Sequence, residues 1–323
     1  KILCSRCVNA QGFRKVVADH DAVFAATGAY KETPLAIPGE GLKGVVSGID
    51  YLKDVAMGRK PLVGRDVLII GAGNVAIDAA RTLFRNGSRV TVVYRREKAD
   101  MPANKDEVFE AEAEGIRFVF LAAPQEVLGD AKGRVRALRV QKMLPGDYDA
   151  SGRKKPFATG QVMDIPCDSI LVAIGERVDA AFLVQAGVEV NKNGTVKADR
   201  FTLKTNVAGV YAGGDMVTGP ATAVEAMSYG VTVARVIDRD LMREDRFAEL
   251  FAHKPLYANK VAATPFAKGK QGGRKLGVKQ RQGNFKEVCL GLTGGQARIE
   301  ALRCLRCDVK EGCSTCSGEK MNG

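Results

Sequence analysis

Six consecutive residues, Gly71-Ala72-Gly73-Asn74-Val75-Ala76, have the types and spacing to hold a pyrophosphate. They follow the G-x-G-x-x-G/A pattern. Gly71 allows the tight turn, Gly73 lets the backbone approach the phosphates, and Ala76 packs a helix against a strand. A second group, Tyr94-Arg95-Arg96, stands where such a unit chooses its nucleotide. Two guanidiniums offer forked, charge-assisted hydrogen bonds to a ribose 2′-phosphate, which selects NADP(H). In the less favoured alternative, Arg95 and Arg96 form a solvated edge and Glu97 holds the ribose 2′-OH of NADH. The third group is Cys304-x2-Cys307-x5-Cys313-x2-Cys316, four thiols within thirteen residues. It fits an iron–sulfur cubane or a tetrahedral zinc, and spacing does not separate them.

The other thiols carry less. Cys4 and Cys7 form a C-x-x-C on an apolar, strand-like run with no further ligand close in sequence. They are expected to be packed thiols, as are Cys167 and Cys289. His20 and His253 are the only histidines, so a histidine-based mechanism is not expected, and both are read as surface or packing residues.

The elements around the first two groups explain their spacing. Val67–Ile70 is a short aliphatic run that ends at the glycine loop. A helix is predicted over Val75–Arg85, with Val75, Ala79 and Leu83 on one face and Asn86-Gly87 as its stop. A β-branched run, Arg89–Tyr94, follows. This strand–turn–helix–strand unit has the size of a βαβ motif, about 30 residues. A glycine triplet between a strand and a helix is far more specific than a lone one. Its helix N-terminus offers free N–H groups and partial positive charge to phosphates.

Along the rest of the chain, Lys1–Val8 reads as a strand and Asn9–Asp21 as a polar loop. Asp21–Ala26 reads as a buried strand ending in Thr27-Gly28. Helices are predicted near Ser47–Met57, Met101–Gly115, Ala221–Leu241 and Thr293–Leu305. Strands are predicted at Arg117–Ala122, Val135–Met143 and Ser169–Ile174. Pro145–Lys155 reads as a polar hairpin tip. Short strands over 186–210 end in Val207–Tyr211, followed by Gly213-Gly214-Asp215.

Composition bounds the class. The chain is 46% hydrophobic and 27% charged, which is globular, and 323 residues suggest about two domains. No stretch reaches the ~20 apolar residues of a membrane span. No signal-peptide pattern is seen. A cytoplasmic protein is expected, and Lys1 in the middle of a strand-like run suggests part of something longer. The net charge of +12 is concentrated. Residues 251–286 hold nine Lys/Arg and no Asp or Glu, three quarters of the total. Such an arm suits docking onto an acidic protein partner or a solvated linker; no pattern supports nucleic-acid binding.

In order, the motifs are Ala26-Thr27-Gly28, Ile37-Pro38-Gly39-Glu40, Gly71–Asp78, Tyr94-Arg95-Arg96 with Met101-Pro102-Ala103, Ala173-Ile174-Gly175 and Gly213-Gly214-Asp215. Over residues 20–240 this series resembles the FAD- and NAD(P)H-dependent oxidoreductases of the glutamate synthase small-subunit type. The tail is similar to members found in multi-subunit flavin/iron–sulfur complexes, through Asn284–Val288, Leu292-Thr293 and Glu300–Asp308.

The resemblance implies an α/β fold of two Rossmann-like domains, the NAD(P) domain inserted into an FAD domain. The expected division is 1–61 (first FAD part, incomplete), 62–176 (NAD(P)H), 177–250 (second FAD part), 251–286 (basic arm) and 287–323 (cysteine-rich tail). It implies that Thr27 and Gly28 sit beside FAD, and Ile174 and Gly175 beside the nicotinamide nucleotide. Gly214 and Asp215 would meet the ribityl chain or pyrophosphate of FAD. Ala221, Thr222 and Ala223 would open a helix pointing at the flavin. Cys304, Cys307, Cys313 and Cys316 would hold an iron–sulfur cluster of the 4Fe–4S type. The family's first G-x-G-x-x-G is absent, so the FAD pyrophosphate unit is expected on a longer form of this chain, on another chain, or lost. Hydride transfer from NADPH to FAD and onward to iron–sulfur clusters follows, with other redox subunits or a ferredoxin-like acidic protein as partners. Two other readings stand beside it. One is a non-catalytic NADPH-binding scaffold with a zinc tail. The other is glutamate synthase's own small subunit, against which the C-terminal position of the cysteines argues.

Overall fold

In a computed structural model the described residues are 1–149, 152–243 and 269–303. They fall into two compact units, Lys1–Asp245 and Arg246–Gly323.

The centre of the first unit is a five-stranded sheet. Its order is Val45–Ser47, Ser169–Val172, Asp66–Ile70, Arg89–Val93, Arg117–Val119, and every pairing is parallel. The strands are near-continuous aliphatic runs because both faces are covered. Alternation sorts the side chains. Val92, Ile69 and Leu171 lie in register across three strands and face one layer. That layer is the helices Gly48–Ala56, Asn74–Arg85 and Lys105–Ala113, which contribute Tyr51, Ile77, Leu83 and Val108. Leu68, Ile70, Val93 and Ile170 face the other side. There they meet Val127, Leu138 and Val140 of an antiparallel meander, Ala122–Gly129, Val135–Tyr148 and Lys154–Pro166.

The strand Val45–Ser47 and its helix belong to this sheet, not to the segment before it. Val45 pairs with Ile170, and Tyr51 is buried in the helical layer. The expected boundary at 61/62 is therefore corrected to a point before Val45. The meander strands also run further than expected. They reach Tyr148 and resume at Lys154, so the turn is only the tip of the predicted excursion.

The remainder of the unit packs around two parallel strands, Val23–Ala25 and Val210–Ala212. The residues between them in sequence cross twice through a short antiparallel pair, Lys31–Glu32 with Glu176–Arg177. Asn9–Asp21 is not a loop. Ala10–Ala18 is an amphipathic helix, capped by the Asn9 side chain on Gly12 N–H, and it buries Phe13 against Phe182. No strand forms over Lys1–Val8. Residues 186–206 form isolated bridges, Val190 with Val196 and Lys204 with Tyr211, in place of the expected strands. The helix Ala223–Met242 buries Val233 and Val236 in its C-terminal half, while its first two turns are exposed. No helix of the described residues is long and apolar enough to cross a membrane.

In the second unit, Arg274–Lys275 pairs with Cys289–Gly291 in a two-stranded antiparallel sheet. The helix Gly294–Ala301 follows, capped by Thr293 and Gln296. It is shorter than the predicted Thr293–Leu305.

Arg81 ties the helical layer together. Its guanidinium donates two hydrogen bonds, of 2.9 and 3.0 Å, to Glu114, whose side chain is fully buried. The bond to Glu114 pushes the Arg81 pKa further up. Removing one partner strands a buried charge, whereas removing both does not. Arg81→Met is expected to lower unfolding free energy by about 3 kcal/mol. Arg81→Met with Glu114→Leu recovers most of it, as read by urea denaturation.

Candidate functional site

Strand order reverses at Asp66–Ile70. The chain leaves it toward Arg89–Val93 and returns on its other side as Ser169–Val172. Ligands bind in such sheets outside the carboxyl ends of the strands, at this switch point. Here the two strand ends carry Gly71–Ala76 and Ala173–Gly175.

Gly71 has φ +129°, and a Cβ there would stand 2.0 Å from the Ala173 carbonyl oxygen. Only glycine fits. Gly73 is the N-cap of Asn74–Arg85, with no side chain capping that helix. A Cβ at Gly73 would meet nothing within 4 Å. The first main-chain bond of the helix is Ile77 N–H to Gly73 O, so the N–H groups before it have no helical partner. Ala72 and Ala76 are buried beneath the loop, and Val75 packs at the edge of the helical core. The segment after Met101-Pro102 braces it. Ala103 N–H donates to Ala72 O, and Asn104 N–H to the Asn74 side chain. Ile174 is exposed, and Gly175 has φ +117° with open space where a Cβ would be.

The arginine pair divides. Arg95 is exposed and makes no hydrogen bond or ion pair with the described residues. Arg96 is only 8% exposed. Its Nη2 donates to Asp149 Oδ2 at 2.7 Å. The two guanidiniums expected at the 2′-phosphate thus stand differently: Arg96 is bonded to Asp149, and Arg95 remains open. Tyr94 is buried, and its hydroxyl donates to the Asp100 carbonyl. Burial raises the Tyr94 pKa. Glu97 is not free either. It accepts from Lys154 Nζ at 2.7 Å. Asp149 and Lys154 flank the meander's tip, and nothing in the local sequence around Tyr94 announces them.

A second strand-end site lies on Val23–Ala25 and Val210–Ala212, where Ala25 pairs with Ala212. Thr27 and Gly28 end the first strand; Gly213, Gly214 and Asp215 end the second. Thr27 Oγ1 donates to Met216 Sδ, and Gly213 N–H to Ala25 O. Gly28 (φ +77°) and Gly214 (φ +60°) both take conformations that favour glycine. Asp215 accepts from Ala221 N–H. The helix expected to face the flavin is closed by a capping box. Glu225 accepts from the Thr222 N–H and hydroxyl, and the Thr222 hydroxyl accepts from Glu225 N–H. These bonds lower the Glu225 pKa. Thr222 N–H is thus already used, while Ala221 and Ala223 are exposed.

Cys4, Cys7 and Cys289 are exposed, not packed. Cys167 is buried as expected, and burial pushes its thiol up to about 12. His20 is exposed at the end of its helix. Cys304, Cys307, Cys313 and Cys316 lie outside the described residues, as does His253. Among the described residues no cluster of His, Cys, Asp or Glu is arranged for a metal.

Residues 6–230 match the family described as pyridine nucleotide-disulphide oxidoreductase. The chain is 37% identical over 319 residues to the beta subunit of an NADP(+)-dependent formate dehydrogenase of Moorella thermoacetica, covering 94% of this chain and 45% of that one. It is 35% identical to the beta subunit of an NADPH-Fe(3+) oxidoreductase of Geobacter sulfurreducens, covering 89% and 48%. The chain thus spans about half the length of these relatives. The glutamate synthase [NADPH] small chain of Azospirillum brasilense is 34% identical, over 68% of this chain and 48% of that one. Among solved structures, the thioredoxin reductase of T. acidophilum superposes with a TM-score of 0.55 at 23% identity, covering 68% and 66%. FprA of Mycobacterium tuberculosis, in complex with NADPH, gives 0.55 at 20%, covering 71% and 65%. These two show the shared fold.

The two glycines of the loop should separate when replaced. Gly71→Ala is expected to cost about 2 kcal/mol or more of stability, because a Cβ meets backbone at a positive φ. Gly73→Ala should cost under about 1 kcal/mol, the N-cap difference. It should nonetheless weaken NADP+ binding, because its methyl projects where the backbone must approach phosphate. Urea denaturation and calorimetric titration on both variants check this.

Proposed function

The chain belongs to the pyridine nucleotide-disulphide oxidoreductase family, and we propose that it is part of an NADPH-dependent flavoprotein subunit that passes electrons to iron–sulfur centres. The observation that carries this is the switch-point crevice. There an uncapped helix N-terminus, a side-chain-free Gly73 and the open Arg95 lie on one sheet edge.

The residues fit NADP(H). Gly73 and the first N–H groups of Asn74–Arg85 take the pyrophosphate, since an uncapped helix start is a ready anion site. Arg95 takes the 2′-phosphate. Ile174 and Gly175, at the end of the adjacent strand, border the nicotinamide side.

The fit to FAD is to one end of it. Thr27, Gly28, Gly214 and Asp215 sit at the ends of two paired strands, where the glycines admit a ligand. Ala221, Thr222 and Ala223 open the helix beside them. A glycine motif for the FAD pyrophosphate is not among these 323 residues. A further stretch of protein would supply it, from a longer form of this polypeptide or from another chain. One exposed apolar patch supports this: Val224 and Met227 on the first turns of Ala223–Met242 (75% and 71% exposed). Bound together, NADPH and FAD supply hydride transfer and its splitting into single electrons.

Cys304, Cys307, Cys313 and Cys316 are assigned to a 4Fe–4S cluster on their spacing and on the flavoprotein context. The basic arm, residues 251–286, is assigned to an acidic redox partner such as a ferredoxin-like protein or another subunit. The two similar beta subunits are parts of redox enzymes by name, which supports a place in a multi-subunit complex.

The test is the ultraviolet–visible spectrum of the full-length polypeptide purified anaerobically, with flavin, iron and zinc analysis of the same sample. Flavin bands that bleach with NADPH, together with broad iron–sulfur absorbance, are expected. Absence of flavin, with zinc in place of iron, would overturn the electron-transfer assignment and leave an NADPH-binding scaffold.

A further inference from the structure

The loop that reads the nucleotide, Tyr94–Asp100, is clamped from a distance of more than fifty residues in sequence. Three contacts hold it to the tip of the meander. Arg96 Nη2 donates to Asp149 Oδ2 at 2.7 Å. Lys154 N–H donates to Asp100 Oδ1 at 3.2 Å. Lys154 Nζ donates to Glu97 Oε2 at 2.7 Å. The strand side of the loop is fixed as well, through Leu121 N–H to Arg96 O and Ala122 N–H to Tyr94 O. Lys154 is thus anchored by its own backbone while its ammonium holds Glu97. Next to these contacts, Asp149 N–H is bonded to Arg153 O and Gly152 N–H to Asp149 O.

Glu97 is the one acidic side chain between Arg95 and the end of this loop that could serve a different nucleotide. Asp100, the other carboxylate, is buried and bonded to Lys154 N–H. A free carboxylate at the end of this strand accepts a ribose 2′-OH and repels a 2′-phosphate. Paired with Lys154 at 2.7 Å, Glu97 has its charge compensated and one carboxylate oxygen already engaged.

We infer that Lys154 is a specificity-determining residue: by holding Glu97 in an ion pair it removes the acceptor for NADH and leaves Arg95 to read the 2′-phosphate of NADPH. This deepens the NADP(H) reading of the switch-point crevice and rests on it. Lys154 acts through Glu97, so it is a positioning residue. The neighbouring Lys155 is exposed and makes no hydrogen bond or ion pair with the described residues of the loop; it serves as the charge control.

The experiment measures the dissociation constants of NADPH and NADH by fluorescence titration on the full-length protein. In Lys154→Met the preference for NADPH should fall about fivefold, the scale of a half-exposed ion pair. Lys154→Arg, which keeps the pair, and Lys155→Met should leave the preference within about twofold. In a Glu97→Gln background, Lys154→Met should have no further effect. A change in preference of less than twofold in Lys154→Met, in a wild-type protein that binds NADPH, overturns the inference while the crevice reading stands. The same loss in the Glu97→Gln background also overturns it, because Lys154 would then act on the phosphate itself. A wild-type protein that binds neither nucleotide overturns the crevice reading on which the inference rests.

Discussion

Two neighbouring strand ends approach closely enough that a methyl group cannot stand between them. Gly71 turns at φ +129°, and its missing Cβ would lie 2.0 Å from the Ala173 carbonyl oxygen. Everything at the switch point depends on that contact. It allows the chain to leave Asp66–Ile70 sharply enough to start a helix on Gly73. It also brings Ile174 and Gly175, more than a hundred residues later, to the same edge. The crevice is the consequence of a packing constraint between strands.

The sheet above that edge is covered differently on its two faces, and the two coverings serve the crevice in different ways. The helical layer supplies the uncapped helix N-terminus, and it is held by buried apolar packing and by the Arg81–Glu114 pair. The antiparallel meander fills the other face with Val127, Leu138 and Val140. Its far end then returns to the loop after Arg89–Val93. One layer thus carries the uncapped helix start at Gly73, while the other is bonded to the loop that follows Arg89–Val93. The bracing of the glycine loop by Ala103 and Asn104 joins the two regions.

Much of the site was legible in the sequence because its determinants are local. The glycine spacing, the aliphatic run before it and the Asn86-Gly87 stop lie within one continuous stretch. What was not legible is set by distant contacts. Two adjacent arginines look equivalent in sequence, yet one packs inward against Asp149 and the other faces out. Cys4, Cys7 and Cys289 sit on apolar runs that suggest burial, but nothing in the described residues covers them. Asn9–Asp21 carries its helical signal, an Asn cap with Phe13, Val16 and Val17 at helical spacing, among polar neighbours that mask it. The strand Val45–Ser47 is too short to announce its sheet, and only its register with Ile170 places it. Thr222 and Glu225 form a capping box that is present in the sequence as T-x-x-E, and it consumes the Thr222 N–H at the helix start.

The most direct measurement of the central claim is hydrogen–deuterium exchange of the full-length protein with and without NADP+. Nucleotide bound at the switch point should protect amides in three separated stretches, residues 71–77, 94–97 and 173–175. Protection confined to other segments, at a nucleotide concentration that saturates binding, would contradict the placement of the site at the ends of these strands.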